Sequence, residues 1–328
     1  MIIFKEVFFM LKAGFDIGGT KCAAVLGRMD ENGNITVIGR TAFATREAGG
    51  AFACLERLCD ALQELLQKYA PGETPDGIGI SCGGPLDAEK GIIQSPPNLP
   101  GWDDIPATDF VTRRTGFPAK LENDANACAL AEWRFGAGRG TRNMIFLTFG
   151  TGLGAGIILN GQLYGGTNGM AGECGHIRLA PEGPVGYGKA GSFEGFCSGG
   201  GIAQLGRMKA EKARADGNPV PWCPTAEDLD KITARSIAAA ANSVDPAALE
   251  IYTESGRKLG YGLSILIDIL NPERIVIGSV FARSENLLRP AMENVLKQET
   301  LSTSLNVCRV VPAELGEAIG DLASLAII

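Results

Sequence analysis

The sequence predicts an α/β fold, in which strands and helices alternate along one chain of 328 residues. Two observations carry this prediction. A pattern of strand, glycine turn, strand, Asn-Gly turn and strand occurs over residues 12–43 and again over residues 143–164. Apolar residues with helical spacing follow the first meander, and they follow the second one after a glycine-rich stretch. The repetition indicates two halves built on the same plan.

The elements of the first half follow the first meander in order. Leu55, Leu58, Leu62 and Leu65 share one side of a predicted helix over residues 51–69. The remaining elements of this half are a strand over 77–81, a Pro/Asn-rich loop over 95–106, a strand over 119–122 and a helix over 126–135.

The second half contains a stretch rich in glycine, residues 165–201, which has little periodicity. Loops of this length are uncommon in compact domains and are more often functional than idle. After it the sequence predicts helices over 202–215, 226–230, 234–241, 247–270, 284–298 and 319–328, and strands over 274–277 and 307–311.

The composition excludes several classes of partner. A net charge of −7 argues against a nucleic-acid groove and against an anionic membrane surface. The nine cysteines contain no Cys-x-x-Cys pair and indicate reduced thiols in a cytoplasmic protein. The apolar segment at residues 1–10 is interrupted by charges and is too short to span a bilayer. It is either an extension, or Met10 is the natural start.

Two turns of glycine and threonine are the most informative local features. The first is Gly18-Gly19-Thr20, preceded by Asp16, and the second is Gly150-Thr151-Gly152. Such turns can direct several backbone N–H groups at one point, because glycine accepts positive φ and has no Cβ. Two of them facing each other would bind a polyphosphate. The alternative for either turn alone is an ordinary tight hairpin.

A set of polar residues lies near predicted strand ends and in the glycine-rich stretch. Asn123 and Asp124 follow a short strand, so one of them caps the next helix, or Asp124 is a base beside a bound hydroxyl. His176 is the only histidine and lies close to Glu173, with Glu194 further along. A lone histidine is usually structural. Carboxylates with an imidazole also suit a polyol, whose hydroxyls each need a partner.

Eight segments together resemble the ROK family (repressors, open reading frames and sugar kinases) of the actin/Hsp70/hexokinase superfamily. One such motif is weak, but eight in the family's order over nearly the whole chain are specific. The matching segments are Asp16–Lys21, Gly84–Asp87, Pro97–Trp102, Glu122–Asn126, Gly150–Gly156, Gly172–His176, Asn271–Gly278 and Gly316–Ala323.

The resemblance implies two RNase H-like (actin-like ATPase) domains with a central cleft between them. The expected domains are residues 1–121, with residues 314–328 packing back on them, and residues 122–313. The implied activity is ATP-dependent transfer of phosphate to a hexose, most simply to the 6-OH of glucose. The implied partners are ATP, the hexose and a second copy in a homodimer, with neither nucleic acid nor membrane.

Site residues carry over from the family motifs position by position. Asp124 is expected to be the catalytic base. The expected sugar-binding residues are Gly84, Asn98, Asn123, Glu173, His176 and Glu194. The expected ATP-binding residues are Asp16, Gly18, Gly19, Thr20, Lys21, Thr151, Gly152, Gly199, Gly200 and Gly278. Asp16 is expected to hold Mg²⁺, mostly through water and phosphate oxygens.

The chain departs from the family pattern at two places. Many ROK proteins carry a zinc knuckle after the histidine, but Val185, Tyr187 and Ser192 stand where its cysteines would be. Structural zinc needs about four nitrogen or sulfur ligands, so we expect no zinc and a His176 that is available for sugar. Gly83 stands where the family often has proline, which would loosen this loop.

Three alternatives remain within the family. The acceptor is an N-acetylhexosamine (N-acetylmannosamine or N-acetylglucosamine), fructose or a β-glucoside instead of glucose. The protein is a sugar-responsive transcription factor, against which stand the acidic charge and the 15 residues before Asp16. The third is a catalytically silent binding protein, against which stand the carboxylates Asp16, Asp124, Glu173 and Glu194.

Overall fold

The computed structural model describes residues 10–328. The question of whether Met10 is the natural start concerns residues outside the described ones. In chain order the strands are β1 (Met10–Ile17), β2 (Lys21–Met29), β3 (Ile35–Ala44), β4 (Ile78–Cys82), β5 (Leu86–Asp87), β6 (Ile92–Ile93), β7 (Ile105–Pro106), β8 (Ala119–Asn123), β9 (Met144–Phe149), β10 (Leu153–Leu159), β11 (Gln162–Leu163), β12 (Val185–Gly186), β13 (Lys189–Ala190), β14 (Arg274–Ile277) and β15 (Arg309–Pro312).

The helices include several of a single turn. In chain order they are α1 (Ala51–Tyr69), α2 (Ala107–Thr115), α3 (Asp124–Phe135), α4 (Phe193–Phe196), α5 (Gly199–Ala215), α6 (Ala234–Asn242), α7 (Pro246–Leu270), α8 (Val280–Arg283), α9 (Glu285–Glu299), α10 (Ser302–Leu305) and α11 (Ile319–Ala326). Short 3₁₀ helices cover Thr45–Ala48, Cys174–His176, Ala226–Lys231 and Gly316–Ala318. None of the helices within residues 10–328 has the length and apolarity needed to cross a membrane.

The chain divides into two compact units. The described residues of unit 1 are 10–140, 163–170 and 314–328, and unit 2 comprises residues 141–162 and 171–313. The division at residues 121 and 122 expected from the sequence differs from this one, because α3 packs against α11 within unit 1. The terminal residues 314–328 also belong to unit 1. Each unit has its own apolar core.

The two units contain sheets of the same design. Unit 1 has five strands in the order β3-β2-β1-β4-β8, and the second sheet has the order β11-β10-β9-β14-β15. In both, an antiparallel meander is extended by two parallel strands. The repeated meander in the sequence therefore becomes a repeated sheet, as predicted.

The glycine-rich stretch is more ordered than its sequence suggests. It contains the 3₁₀ turn Cys174–His176, the hairpin β12–β13 and helix α4, and α5 already begins at Gly199. Two helices begin earlier than expected, α3 at Asp124 and α5 at Gly199, because Asn123 and Ser198 cap them with side-chain oxygens that accept the N–H groups of Ala125 and Gly201.

Candidate active site

The strand register of unit 1 brings the predicted residues to one edge of its sheet. Asp16 of β1 lies beside Ser81 of β4, which in turn lies beside Glu122 of β8. The carboxyl ends of parallel strands form the usual ligand-binding edge of an open sheet. The residues that follow β1, β4 and β8 are the first glycine turn, Gly83 and Asp124. They therefore begin at the same edge of the sheet.

The first glycine turn is held from two sides. The N–H of Gly18 donates to the carbonyl of Lys21 (3.0 Å), and the hydroxyl of Thr45 donates to the carbonyl of Gly18 (2.6 Å). A β-carbon on Gly19 would lie 2.6 Å from the carbonyl oxygen of Asn98. The turn therefore needs glycine because another backbone approaches it closely.

The glycines of the two turns do not use positive φ, contrary to the expectation from the sequence. Neither Gly18 nor Gly19 adopts positive φ, and the same holds for Gly150 and Gly152 of the second turn. At Gly19 and Gly152 the turns instead require the absence of a Cβ.

The loop at Gly83 and Gly84 brings the acceptor-side residues of unit 1 together. A β-carbon on Gly83 would lie 3.7 Å from both side-chain heteroatoms of Asn98 and 3.9 Å from Oδ2 of Asp124. A β-carbon on Gly84 would lie 3.3 Å from Nδ2 of Asn123. The amide of Asn98 and the carboxylate of Asp124 thus border the same space. A proline at position 83 would occupy part of that space.

The capping interpretation of the Asn-Asp pair is confirmed, and the role of Asp124 as a base stays a prediction. Asn123 caps α3, since its Oδ1 accepts the N–H of Ala125 at 3.0 Å. Asp124 uses Oδ1 for the same N–H at 2.8 Å, and its other oxygen, Oδ2, is the one near Gly83. The Asp124 side chain has solvent access, but the protein packed around it raises the pKa of its carboxyl, and the N–H of Ala125 partly opposes this.

Asp16 lies in a strongly acidic environment. Burial, followed by the charges of Asp321 and Asp124, raises the pKa of Asp16 to about 6, and Arg40 counteracts part of this. Arg40 donates through Nε to both carboxylate oxygens of Asp321, at 2.9 and 2.8 Å. A β-carbon on Gly320 would lie 3.1 Å from Oδ2 of Asp16. A cation near Asp16 would therefore neutralise a local excess of negative charge.

The second glycine turn, in unit 2, is held by a carboxylate. The N–H of Gly150 donates to the carbonyl of Gly152 at 3.1 Å. Oε2 of Glu194 accepts the N–H of Leu153 at 3.0 Å and would lie 2.6 Å from a β-carbon on Gly152. Glu194, expected to bind sugar, thus uses at least one oxygen to fix this turn.

The beginning of α5 lies against the same turn. The N–H of Gly199 donates to the carbonyl of Gly150 at 2.7 Å, and a β-carbon on Gly200 would lie 3.3 Å from the carbonyl of Thr151. A helix N-terminus is a favourable place for a phosphate group. The predicted residues Thr151, Gly152, Gly199 and Gly200 are therefore neighbours in unit 2.

Gly278 joins this group at the end of β14. Its N–H donates to the carbonyl of Leu147 at 3.0 Å. The next residue, Ser279, has φ of +55° and lies with Oγ 3.8 Å from the β-carbon position of Gly150. A serine with positive φ is uncommon, and such strain clusters at functional sites.

The segment with Glu173 and His176 packs tightly on β10. A β-carbon on Gly172 would lie 2.2 Å from the carbonyl of Ala155, and one on Gly175 would lie 2.2 Å from the carbonyl of Leu153. The glycines of the motif are therefore needed for close packing. Glu173 and His176 are both exposed at the surface of this segment.

A hydrogen-bonded hairpin occupies the place of the zinc knuckle. Gln204 of α5 accepts the N–H of Val185 at 2.9 Å and donates to its carbonyl at 2.8 Å. Lys189 donates to the carbonyl of His176 at 2.7 Å, and the ring of Tyr187 lies edge-on to that of His176 with centroids 6.4 Å apart. Across residues 10–328, no three His, Cys, Asp or Glu side chains form a group able to hold a metal ion. The absence of zinc stays a prediction.

Comparison with known proteins decides the family. The sequence model of the ROK family matches residues 12–327. The chain belongs to the ROK family. The glucokinase of Streptomyces coelicolor is 32% identical over 321 residues, covering 94% of this chain and 95% of that protein.

Solved ROK structures share the fold. The ROK hexokinase of Thermus thermophilus has a TM-score of 0.75 at 27% identity and 97% coverage of both chains. A ROK glucokinase of Streptomyces griseus, crystallised with glucose and AMPPNP, has a TM-score of 0.69 at 29% identity, covering 97% of this chain and 98% of that one. The protein has the two-domain, actin-like ATPase fold of ROK sugar kinases, as predicted.

Repressors occur among the ROK relatives too. The xylose repressor of Caldicellulosiruptor bescii is 30% identical over 290 residues, which cover 87% of this chain and 71% of that protein. Membership of the family therefore supports a sugar kinase without excluding a regulator.

The structure adds three residues that were not among the expected site residues. Thr45 fixes the first turn, Ser279 adjoins the second, and Asp321 adds charge near Asp16. Asp321 lies within the motif Gly316–Ala323, which could have drawn attention to it. Thr45 and Ser279 carry no local signal, because their importance comes from the backbone that folds against them.

Proposed function

We propose that this protein is an ATP-dependent hexose kinase that transfers the γ-phosphate to a sugar hydroxyl, most simply the 6-OH of glucose. The observation that carries the proposal is the placement of Asn98 and Asp124 around one space next to Gly83, while the backbone of Asn98 touches the first phosphate turn. This placement supports an acceptor site next to a phosphate site in unit 1. The glucokinases among the relatives support the same chemistry.

The proposed base is Asp124. Its oxygen accepts the proton of the attacked hydroxyl, the hydroxyl oxygen forms a bond to the γ-phosphorus, and the bond from phosphorus to the bridging oxygen breaks to release ADP. Burial raises the pKa of the Asp124 carboxyl, which makes its ionised form a better acceptor for that proton. The carboxylate that aligns the hydroxyl acts by position as much as by basicity.

The phosphates of ATP are assigned to the two glycine turns, residues 18–20 and 150–152, and to the start of α5 at Gly199 and Gly200. Lys21 follows the first turn, and Gly278 flanks the nucleoside. Asp16 fits Mg²⁺, because it lies next to the first turn and shares a local excess of negative charge with Asp321 and Asp124. Bound there through water and phosphate oxygens, the ion would neutralise charge on the phosphates.

The proposed partners of the sugar hydroxyls are those that the family motifs imply. They are the amides of Asn98 and Asn123, the carboxylates of Glu173 and Glu194, and the imidazole of His176. Gly84 leaves room beside Asn123. Polar groups that each fit one hydroxyl discriminate strongly against analogues lacking it.

The test is ADP release, followed with a coupled assay, across glucose, fructose, mannose, allose, N-acetylglucosamine, N-acetylmannosamine and a β-glucoside. We expect glucose to give the highest kcat/KM. A higher kcat/KM for an N-acetylhexosamine, fructose or the β-glucoside would support a kinase whose substrate is that sugar instead of glucose. Absence of sugar-dependent ADP release from folded protein with Mg²⁺ and ATP would contradict the kinase itself.

The second candidate is a sugar-sensing regulator, which the repressors among the relatives favour. It predicts that a sugar of the same panel binds without turnover. Isothermal titration measures the binding of each sugar, with and without an ATP analogue. A sugar that binds but gives no ADP release in the coupled assay favours the regulator. A sugar that binds and also gives ADP release favours the kinase.

A further inference from the structure

Tyr187 is an exposed aromatic residue to which the proposed function assigns no role. It is the first residue of the two-residue turn between β12 and β13, and 84% of its surface is exposed. Its φ is +43°, and the φ of Gly188 after it is +74°. Positive φ at both central residues is the pattern of a type I′ hairpin turn, which favours Asn-Gly, Asp-Gly or Gly-Gly. For a bulky residue such as tyrosine this conformation is unfavourable. The hairpin itself therefore does not explain the tyrosine.

The hairpin at the end of β10 contains the residue that such a turn prefers. β10 and β11 are joined by Asn160 and Gly161, whose φ values are +54° and +78°. Asparagine thus occupies in one hairpin the position that tyrosine occupies in the other. The ring of Tyr187 is too exposed for packing within the protein to offset the strain of positive φ. A ligand that covers the ring is a physical reason for the difference.

The neighbours of Tyr187 indicate which ligand this is. Its ring lies edge-on to that of His176, with centroids 6.4 Å apart, and Lys189 of the same hairpin donates to the carbonyl of His176 at 2.7 Å. At the base of the turn, a β-carbon on Gly186 would lie 2.7 Å from Cβ of Glu194. The hairpin that carries Tyr187 therefore packs beside two of the residues proposed to bind sugar hydroxyls.

We propose that Tyr187 is a specificity-determining residue for the acceptor, whose ring stacks on the pyranose that His176 binds. This rests on the proposed function. The ring of β-glucose carries only equatorial substituents, so both of its faces present C–H groups that pack well on an aromatic ring. An axial hydroxyl interrupts one face, at C3 in allose and, on the opposite face, at C2 in mannose. Tyr187 therefore favours an acceptor whose hydroxyls are all equatorial, and ordering its side chain costs only two torsions.

The first test is Tyr187→Asn, which removes the ring and suits the turn, as Asn160 does in the other hairpin. The control is Val244→Asn, because Val244 has φ of +63°, is 74% exposed and lies in the loop between α6 and α7, to which no substrate residue is assigned. We expect Tyr187→Asn to lower kcat/KM for glucose by about tenfold, chiefly through KM, and to leave KM for ATP unchanged. Val244→Asn should change none of these constants. Neither substitution should lower Tm, since asparagine accepts positive φ.

Selectivity between epimers tests the stacking itself. In Tyr187→Asn the preference for glucose over allose or over mannose, taken as a ratio of kcat/KM values, should fall by about five- to tenfold. The epimer concerned identifies the face of the sugar that the ring covers. Tyr187→Phe keeps the ring and should stay within about threefold of wild type. Equal losses in Tyr187→Phe and Tyr187→Asn would assign the effect to the hydroxyl and overturn the stacking. Unchanged ratios for both epimers in Tyr187→Asn would overturn the role in specificity.

A double mutant separates contact with the sugar from an effect that passes only through His176. If the ring of Tyr187 touches the sugar, Tyr187→Asn weakens sugar binding several-fold in the His176→Ala background as well. No further loss in that background would mean that Tyr187 only holds the imidazole, and it would overturn the proposal.

Calorimetry measures these sugar affinities without turnover, so the proposed function and the stacking can fail separately. Wild-type protein that binds glucose without releasing ADP would contradict the kinase, and the affinities of the Tyr187 variants would still decide the stacking. Wild-type protein that releases ADP with glucose, together with unchanged constants in Tyr187→Asn, would overturn the stacking alone. Wild-type protein that binds no sugar of the panel would overturn both.

Discussion

The two glycine turns share one local design but are supported by different neighbours. In unit 1 the backbone of Asn98 and the hydroxyl of Thr45 hold the turn at Gly18 and Gly19. In unit 2 the carboxylate of Glu194 and the first residues of α5 hold the turn of residues 150–152. The first support is largely backbone, and the second includes a side chain that can rotate.

The difference indicates a division of tasks under the proposed function. Asn98 touches the first turn with its backbone and borders the space at Gly83 and Asp124 with its side chain. The first turn is thereby tied to the acceptor. The second turn is tied to a helix N-terminus, which favours phosphate. Substitutions at matched positions in the two units can test whether this distinction holds.

The largest effect is expected from Asp124→Asn. The amide cannot accept the hydroxyl proton, so kcat should fall by about 10²–10⁴-fold while sugar binding persists. The measurements are kcat from ADP release and sugar affinity by calorimetry. Asp109→Asn, which makes the same change in the first turn of α2, is the control and should keep full activity. A kcat within threefold of wild type in Asp124→Asn would remove Asp124 from the role of base.

The next effect compares the turns directly. An alanine β-carbon at residue 19 would meet the carbonyl oxygen of Asn98, and one at residue 152 would meet Oε2 of Glu194, each at 2.6 Å. Backbone cannot move away as easily as the end of a side chain. We therefore expect Gly19→Ala to lower kcat/KM by about 10²-fold and Gly152→Ala by less than about tenfold.

This comparison is measured by steady-state kinetics at a temperature where both variants are folded, with melting curves as the check. The opposite order, with Gly152→Ala the more damaging, would show that the backbone contact at Asn98 does not control the first turn.

The sequence predicted the repeated meander, the two glycine turns and the position of Asp124 after a short strand, because these follow from periodicity and from turn residues. It did not predict which neighbours exclude a β-carbon from the turns. They are Asn98 beside Gly19 and Glu194 beside Gly152, which are contacts between residues far apart in the chain. Local patterns carry no record of such contacts. The same applies to Glu132, a buried residue of α3. Its carboxylate oxygens accept the N–H groups of Glu314 and Leu315, more than 180 residues away in the chain.

A smaller effect should separate the two tasks of Glu194. Glu194→Gln retains an acceptor for the N–H of Leu153, whereas Glu194→Ala removes it. If the carboxylate also binds a sugar hydroxyl, Glu194→Gln should raise KM for the sugar by about tenfold and leave KM for ATP unchanged, while Glu194→Ala raises both. Kinetics with each substrate varied in turn decide this. Unchanged KM for sugar in Glu194→Gln would restrict Glu194 to holding the second turn.

Asp16→Asn should stabilise the protein in the absence of Mg²⁺ and nucleotide. The pKa of Asp16 is raised to about 6 from an ordinary 3.8, so the folded state disfavours its charged form. Stability from this group is therefore full below pH 4 and is lost as pH rises through 6. At pH 7.5 the neutral amide should raise Tm by about 2–4 °C, equivalent to about 1 kcal/mol.

Melting curves of wild type and Asp16→Asn between pH 4 and pH 8 measure this difference. It should shrink towards pH 4, where the wild-type carboxyl is protonated. A variant that is less stable than wild type at pH 7.5 would mean that the charge of Asp16 is compensated within unit 1, by Arg40 above all.

We expect a zinc chelator to have no effect on the stability of the protein, which is the smallest effect of those considered. The side-chain amide of Gln204 in α5 forms two hydrogen bonds with the backbone of Val185 in the hairpin β12–β13. Ser192 caps α4 by accepting the N–H of Gly195 at 3.1 Å. These hydrogen bonds stand where a ROK zinc knuckle would be stabilised by metal. Elemental analysis should find no stoichiometric zinc, and chelator should leave Tm unchanged. Gln204→Ala should lower the free energy of unfolding by about 1 kcal/mol. One tightly held zinc ion per chain, lost with chelator together with several degrees of Tm, would restore a structural role to His176 and withdraw it from the sugar site.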